Sequence, residues 1–199
     1  MGRDLRENVL PFWVREVVDR EHGGFHGYVS DQGIVDPLAP KGGVLCSRIL
    51  WTYSAALRRT GDEAHRRMAD RAFAYLRDRF WDAEHGGTYW MLDYAGRPVA
   101  DRKQTYALAF SLYALAEHHR ATGSGDALER AVGLYRSIEA HASDPGHGGY
   151  GEARAEVTGG LVPRVARVPL PGAGGERRVH QIRRATLKHH PSSVRTDSG

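Results

Sequence analysis

Three copies of His-Gly-Gly, spaced 63 and 62 residues apart, constrain this 199-residue chain more than any other feature. They read Glu21-His22-Gly23-Gly24-Phe25, Glu84-His85-Gly86-Gly87-Thr88-Tyr89 and Gly146-His147-Gly148-Gly149-Tyr150. A period of that length marks stacked supersecondary units, each needing a neighbour to cover its apolar face. Each copy follows a segment with apolar residues three and four apart: Leu5 to Asp19, Asp62 to Phe80 and Asp126 to His141. That spacing predicts helices with one apolar face, lying on the outside. The glycine pair is expected to end each of them as a left-handed cap. Between the marks run Ser47 to Arg59 and Lys103 to Thr122. The second is apolar nearly all round from Tyr106 to Ala116, which predicts a helix buried on every side. Short extended pieces, Phe25 to Ser30 and Thr88 to Tyr94, follow the glycines, and Tyr94 to Pro98 reads as a turn. Inner helix, outer helix and glycine turn, repeated, describe an all-α protein, an α/α toroid of about two and a half hairpins.

The repeat stops at about residue 153. All eighteen aromatic residues lie at or before Tyr150. From Arg154 onward there are nine Lys/Arg against three Asp/Glu, so the basic balance of the chain belongs to this tail. Pro163, Pro169 and Pro171 block helix and central strand there. The expected organisation is a helical domain over 1–153 and a disordered or irregular basic tail over 154–199. The tail's charge is scattered among Gly, Pro and Ser without aromatic stacking residues, which argues against a nucleic-acid partner. No apolar run approaches the length of a membrane helix, and the first residues lack a signal-peptide core. The expectation is a cytoplasmic protein with no membrane partner. A single cysteine, Cys46, excludes an intrachain disulfide and is expected in the core.

Several segments together carry a resemblance. They are Leu10 to Trp13, Glu21 to Tyr28, Ala39 to Gly42, Ser47 to Trp51, His85 to Asp93 and Arg102 to Phe110. In that order and spacing they resemble the N-acylglucosamine 2-epimerase family, most closely its cellobiose 2-epimerase branch, over residues 1 to about 153. The resemblance implies an (α/α)6 barrel, of which this is about the first half. It implies inversion at C2 of the reducing-end glucose of a cellobiose-type β-1,4 disaccharide, or of a related aldose or N-acylglucosamine, without metal or other cofactor. The chemistry is proton abstraction beside a carbonyl, with an enediolate between two histidine-mediated proton transfers. Imidazole suits such a task because its pKa lies near neutrality, and the enediolate needs a nearby cation or hydrogen-bond donors.

The resemblance implies that Arg48 faces the barrel centre as the catalytic-site cation holding sugar oxygens, and that Tyr106 hydrogen-bonds the substrate. Set in an apolar helical run, Arg48 is also expected to have a partner, since an unpaired buried charge is costly. Trp51 and Trp90 could stack on a sugar ring or serve as packing residues. His22, His85 and His147 recur in every repeat, which points to architecture rather than catalysis. Gly23-Gly24 between His22 and His26 rules out a helical metal pair. His118 and His119 are expected in solvent.

The departure comes after Gly148-Gly149-Tyr150-Gly151-Glu152-Ala153. In the family a helix containing Asn-Thr-His-Leu-His follows, bearing the first proton-transfer histidine. His180, His189 and His190 lack that context, so the chain is expected to be inactive alone. Two further readings stand beside the epimerase. One is a sugar-binding or partner-assembled half toroid, self-associating through exposed inner faces. The other, an α/α-barrel glycosidase, needs two opposed carboxylates, and no Asp or Glu is expected within an inner apolar helix. A frameshift or truncation near residue 154 would explain the departure. Translation of the encoding DNA in its other two frames is expected to yield an Asn-Thr-His-Leu-His-like run, and its absence from all frames would sink that explanation.

Overall fold

The 62-residue period carries into the backbone element by element. The computed structural model describes residues 2–99, 103–144, 148–151 and 153–154. In chain order the elements are α1 (Leu10–Glu16), β1 (Tyr28–Val29), β2 (Val35–Asp36), β3 (Lys41–Gly42), α2 (Gly43–Thr60) and α3 (Glu63–Tyr75). Then follow β4 (Met91–Leu92), β5 (Lys103–Gln104), α4 (Thr105–Thr122), α5 (Gly125–Ala142) and β6 (Ala153–Arg154). The strands form three antiparallel pairs, β1 with β2, β3 with β4, and β5 with β6. Strand β6 continues the repeat to Arg154; the rest of the expected irregular tail lies outside the described residues.

Helices α2 and α4 form the inner layer, with α3 packed on α2 and α5 on α4. The start of each outer helix is written locally. Asp62 caps α3 by accepting the Ala64 N–H at 2.7 Å, and Ser124 caps α5 by accepting that of Ala127 at 3.3 Å. Such a cap satisfies a donor that the first helical turn leaves free. At the other end α3 widens into a π-helical turn, Leu76–Phe80, which buries Leu76 and Phe80. A similar turn, Leu5–Val9, precedes α1. Pro11 has no N–H to donate and its ring crowds the preceding turn, which accounts for the wider winding there.

The glycine pairs do not cap the outer helices as expected. Those helical segments end at Glu16, Phe80 and Ala142, and the glycines come later, in a loop. The left-handed caps are instead Gly61 and Gly123, after the inner helices, each N–H donating at 2.7 Å to Leu57 and His119 carbonyls respectively. In the loop, the N–H of Asp19, Asp82 and Asp144 donates to the carbonyl of Gly24, Gly87 and Gly149 respectively. Each loop is flanked by a single bridge, Val18 to Phe25, Trp81 to Thr88 and Ser143 to Tyr150. Gly24 shows why glycine is needed. Its φ is +64°, and an added Cβ would stand 2.6 Å from the Tyr75 ring.

A buried ion pair ties two of these loops to the strand entering the next inner helix. Asp19 takes the N–H groups of Glu21 and His22 on one oxygen, both at 2.9 Å, and Lys41 Nζ at 2.6 Å on the other. Asp82 does the same with Glu84, His85 and Lys103. All four charged side chains are buried. Burial alone would raise these carboxyl pKa values, but the lysine and the two N–H donors outweigh it, lowering Asp19 and bringing Asp82 down to about 2.

Between the inner helices runs a polar seam. Ser47 Oγ lies 3.1 Å from Ser111 Oγ, which lies 3.1 Å from Thr88 Oγ1, and Ser54 Oγ lies 3.1 Å from His118 Nδ1. Both pairings advance in the same direction, so α2 and α4 run parallel. His118 is therefore buried rather than solvated as expected, with its ring stacked on Phe73 at 4.7 Å. The reason is that α2 and α3 close over it where the apolar run of α4 ends, with Ser54 and Phe73 against the ring. Burial lowers its pKa, with Arg66 and His119 acting the same way and Asp70 opposing them. Cys46 is buried as expected, its thiol pushed up to about 12 by desolvation.

Two measurements follow from these buried charges. Lys103→Met leaves Asp82 buried without its counter-ion and is expected to lower the unfolding free energy by about 3–5 kcal/mol. Adding Asp82→Asn, which keeps an acceptor for the loop N–H groups, should restore part of it; a loss under about 1 kcal/mol in urea titrations of the single variant would contradict the account. Because the Asp19 and Asp82 pKa values are lowered on folding, their stabilisation is complete above about pH 4 and is lost as pH falls towards 2. His118 has the opposite chemistry but the same sign. Its lowered pKa means that the unfolded chain takes up the proton first, so stability declines as pH falls below about 6.5. Thermal melts of wild type and His118→Gln at pH 7.5 and 5.5 should show a smaller acid shift in the variant.

Candidate functional site

An apolar-all-round α4 was expected to be buried on every side, and it is not. Tyr106 is 41% exposed, Ala109 is exposed, and Phe110, Tyr113 and Ala116 are half-buried. These positions, three and four apart, form one open stripe along the helix. Helix α2 carries a matching stripe of Leu45, Arg48, Trp51, Thr52 and Ala55. The stripes are joined by Trp51 and Tyr113, whose rings stack at 5.0 Å and 16°. Tyr106 meets Phe110 edge-on at 4.9 Å. No other described element packs over this surface, which is why apolar residues there remain accessible.

Arg48 lies at the centre of the α2 stripe but is exposed, and it makes no ion pair or hydrogen bond with a described residue. The expected buried partner is absent because the stripe is uncovered, so water solvates the guanidinium. Trp90 is half-buried, and its carbonyl accepts the Gly43 N–H at 3.0 Å. Pairing of β3 with β4 thus sets Trp90 beside the amino-terminal end of α2, the end from which Arg48 is reached. Trp51 gives one ring face to Tyr113. Of the four residues singled out, Arg48, Tyr106 and Trp51 share the stripe and Trp90 borders one end of it.

The histidines stand elsewhere. His22 and His85 lie in the glycine loops, with Nδ1 3.8 and 3.5 Å from the buried carboxylates of Asp19 and Asp82. That placement agrees with an architectural role; His147 lies outside the described residues. His119 bonds the Ser124 carbonyl, and His118 is in the seam. No histidine occupies the stripe itself. The stripe offers a cation, a phenol and ring faces, a set suited to gripping sugar oxygens and C–H faces. Among the described residues no three His, Cys, Asp or Glu side chains converge to hold a metal ion, and no helix is long and apolar enough to cross a membrane.

Sequence reasoning missed the Asp19–Lys41 and Asp82–Lys103 pairs. A signal was present, since an aspartate stands three residues before the His of every copy. It missed Glu117 too, one residue beyond the apolar run of α4. Glu117 is buried and bridges Arg58 at 2.8 Å and Arg120 at 3.0 Å. Its two guanidinium partners mark it as structural. Since Arg48 is exposed and pairs with no described residue, Arg48→Ala is expected to change the unfolding free energy by no more than about 0.5 kcal/mol. A loss above about 2 kcal/mol in a denaturant titration would show that Arg48 holds the fold.

The geometry can be set beside known proteins. A cellobiose 2-epimerase of Bacteroides fragilis is 48% identical over 153 residues, which are 77% of this chain and 39% of that protein. The solved cellobiose 2-epimerase of Bacillus thermoamylovorans superposes with a TM-score of 0.73 at 39% identity, covering 76% of this chain and 39% of the other. A solved D-mannose isomerase gives a TM-score of 0.67 at 27% identity, covering 74% and 38%. The chain thus spans about two fifths of the length of these relatives, which fits part of an α/α toroid. The profile of the N-acylglucosamine 2-epimerase (GlcNAc 2-epimerase) family matches residues 23–161, about 70% of the chain, and this chain belongs to that family.

Proposed function

We propose that this chain forms the sugar-holding part of a carbohydrate 2-epimerase site, with a β-1,4 disaccharide of the cellobiose type as its ligand. The observation that carries the reading is the open stripe on which Arg48 and Tyr106 stand. Both lie towards the amino-terminal ends of parallel inner helices, with Trp90 bordering that end. Arg48 would take the oxygens of the opened reducing-end sugar, where negative charge develops once the C2 proton has left. Tyr106 would donate to, or accept from, a hydroxyl of the same ring. Trp51 and Trp90 would offer ring faces to its C–H groups.

Turnover needs bases on both faces of C2, and the stripe offers no imidazole. Loss of one general base commonly reduces rate by about 100- to 10,000-fold. The 199-residue chain is therefore expected to bind sugar without epimerising it. Incubation with cellobiose should yield no mannose epimer above the protein-free control, whereas ligand-observed NMR should register binding that weakens in Arg48→Ala. Measurable turnover would disprove the inactivity, and unchanged binding in the variant would remove Arg48 from the site.

The uncovered aromatic stripe also favours a second reading, a half toroid that works only when another chain covers it. Apolar residues left open in this way promote association. Gel filtration separates the readings, because a clean monomer across a tenfold concentration range would count against assembly.

A further inference from the structure

The hydrogen bonds of the seam fix how far each inner helix is advanced against the other. Ser47 meets Ser111 and Ser54 meets His118, a separation of 64 residues in both cases. Arg48 is therefore level with Leu112 of α4, and Trp51 with Leu115. Tyr106 stands six residues before Leu112, about 9 Å nearer the amino-terminal end, whereas Tyr113 stands one residue after it, about 1.5 Å away. Of the accessible side chains on the α4 stripe, Tyr113 is thus the nearest in height to Arg48.

Arg48 and Trp51 are three residues apart on α2 and share one face of it. The indole does not stay at its own height. It stacks on Tyr113, two residues short of Leu115, with ring centres 5.0 Å apart and planes at 16°. Helical side chains lean towards the amino terminus, so this contact holds the indole over the turn that carries Arg48. Both rings are half-buried, and Tyr113 is the one aromatic neighbour of Trp51 among the described residues. An indole with an open side could adopt several rotamers. A stacked pair is worth more than the area it buries, which selects one of them. We propose that Tyr113 is a positioning residue of the stripe: its ring holds the Trp51 indole beside Arg48, so that one pyranose can meet guanidinium and indole together. The proposal rests on the sugar-holding reading above and adds to it a residue that acts through another.

The test is a ligand-observed NMR titration of the full chain with cellobiose. Tyr113→Leu should weaken binding about fivefold, while Tyr113→Phe, which keeps the flat ring, stays within twofold of wild type. Tyr113→Gln is the second variant, with the same expected loss as Tyr113→Leu. In a Trp51→Leu background, Tyr113→Leu should change the affinity less than twofold, because its effect runs through the indole. Leu134→Ala, a core change on α5 away from the stripe, should lower stability and leave binding within twofold. Losses that add in the double variant would overturn the positioning role, and so would an equal loss in Tyr113→Phe or in Leu134→Ala. Unchanged binding in Tyr113→Leu and Tyr113→Gln, with a loss in Arg48→Ala, would overturn it and leave the sugar-holding reading standing. Failure of the wild type to bind cellobiose would overturn both together.

Discussion

Everything else in the fold depends on a carboxylate buried between a loop and a strand. Asp19 and Asp82 each neutralise two N–H groups of their own loop and one lysine at the entrance of the next inner helix. The lysine ammonium also donates to the Gly23 carbonyl at 2.8 Å in the first copy and stands 4.4 Å from the Tyr89 ring centre in the second. A buried ion pair contributes little net stability against a well-packed apolar substitute. Its value here is geometric, because it fixes the angle at which the chain leaves an outer helix and enters an inner one. Arg71 of α3 reinforces the first copy by donating to the Gly24 carbonyl at 3.0 Å.

The seam between α2 and α4 has a similar logic. Leucines there would pack in more than one register, whereas Ser47 to Ser111 and Ser54 to His118 are satisfied together only when the helices are aligned as they are. That alignment brings Trp51 onto Tyr113 and so joins the two stripes into one surface. The route from sequence to site is short: aspartate and lysine set the helix entrances, the seam sets the register, and the register sets which side chains share the open face.

Much of this was legible before any coordinates. The His-Gly-Gly period located every outer helix to within a few residues, since apolar spacing reports which face is covered. The inner helices differed at their starts, because Lys103 and Gln104 belong to strand β5 and α2 begins a turn before Ser47. The glycines were assigned the wrong task, as positive φ serves a loop equally well as a helix cap, and composition alone does not separate the two. His118 and Arg48 were reversed, the first read as solvated and found buried, the second read as buried and found solvated. Periodicity tells which residues could face a neighbour. It does not tell whether that neighbour is there.

The solvation of Arg48 has a consequence for any sugar bound on the stripe. Two unit charges 4 Å apart interact by about 1 kcal/mol in water and by about 4 kcal/mol at the effective dielectric of a partly covered protein site. An enediolate gains only the smaller amount from an exposed guanidinium, and a neutral hydroxyl gains less. The same argument applies to Tyr106, a residue 41% exposed, whose hydroxyl competes with water for any ligand. Full strength at this site therefore requires a cover that removes water without displacing the guanidinium. Side-chain identity and the seam prepare the stripe; exclusion of solvent would turn an open surface into one able to stabilise charge on a bound ligand.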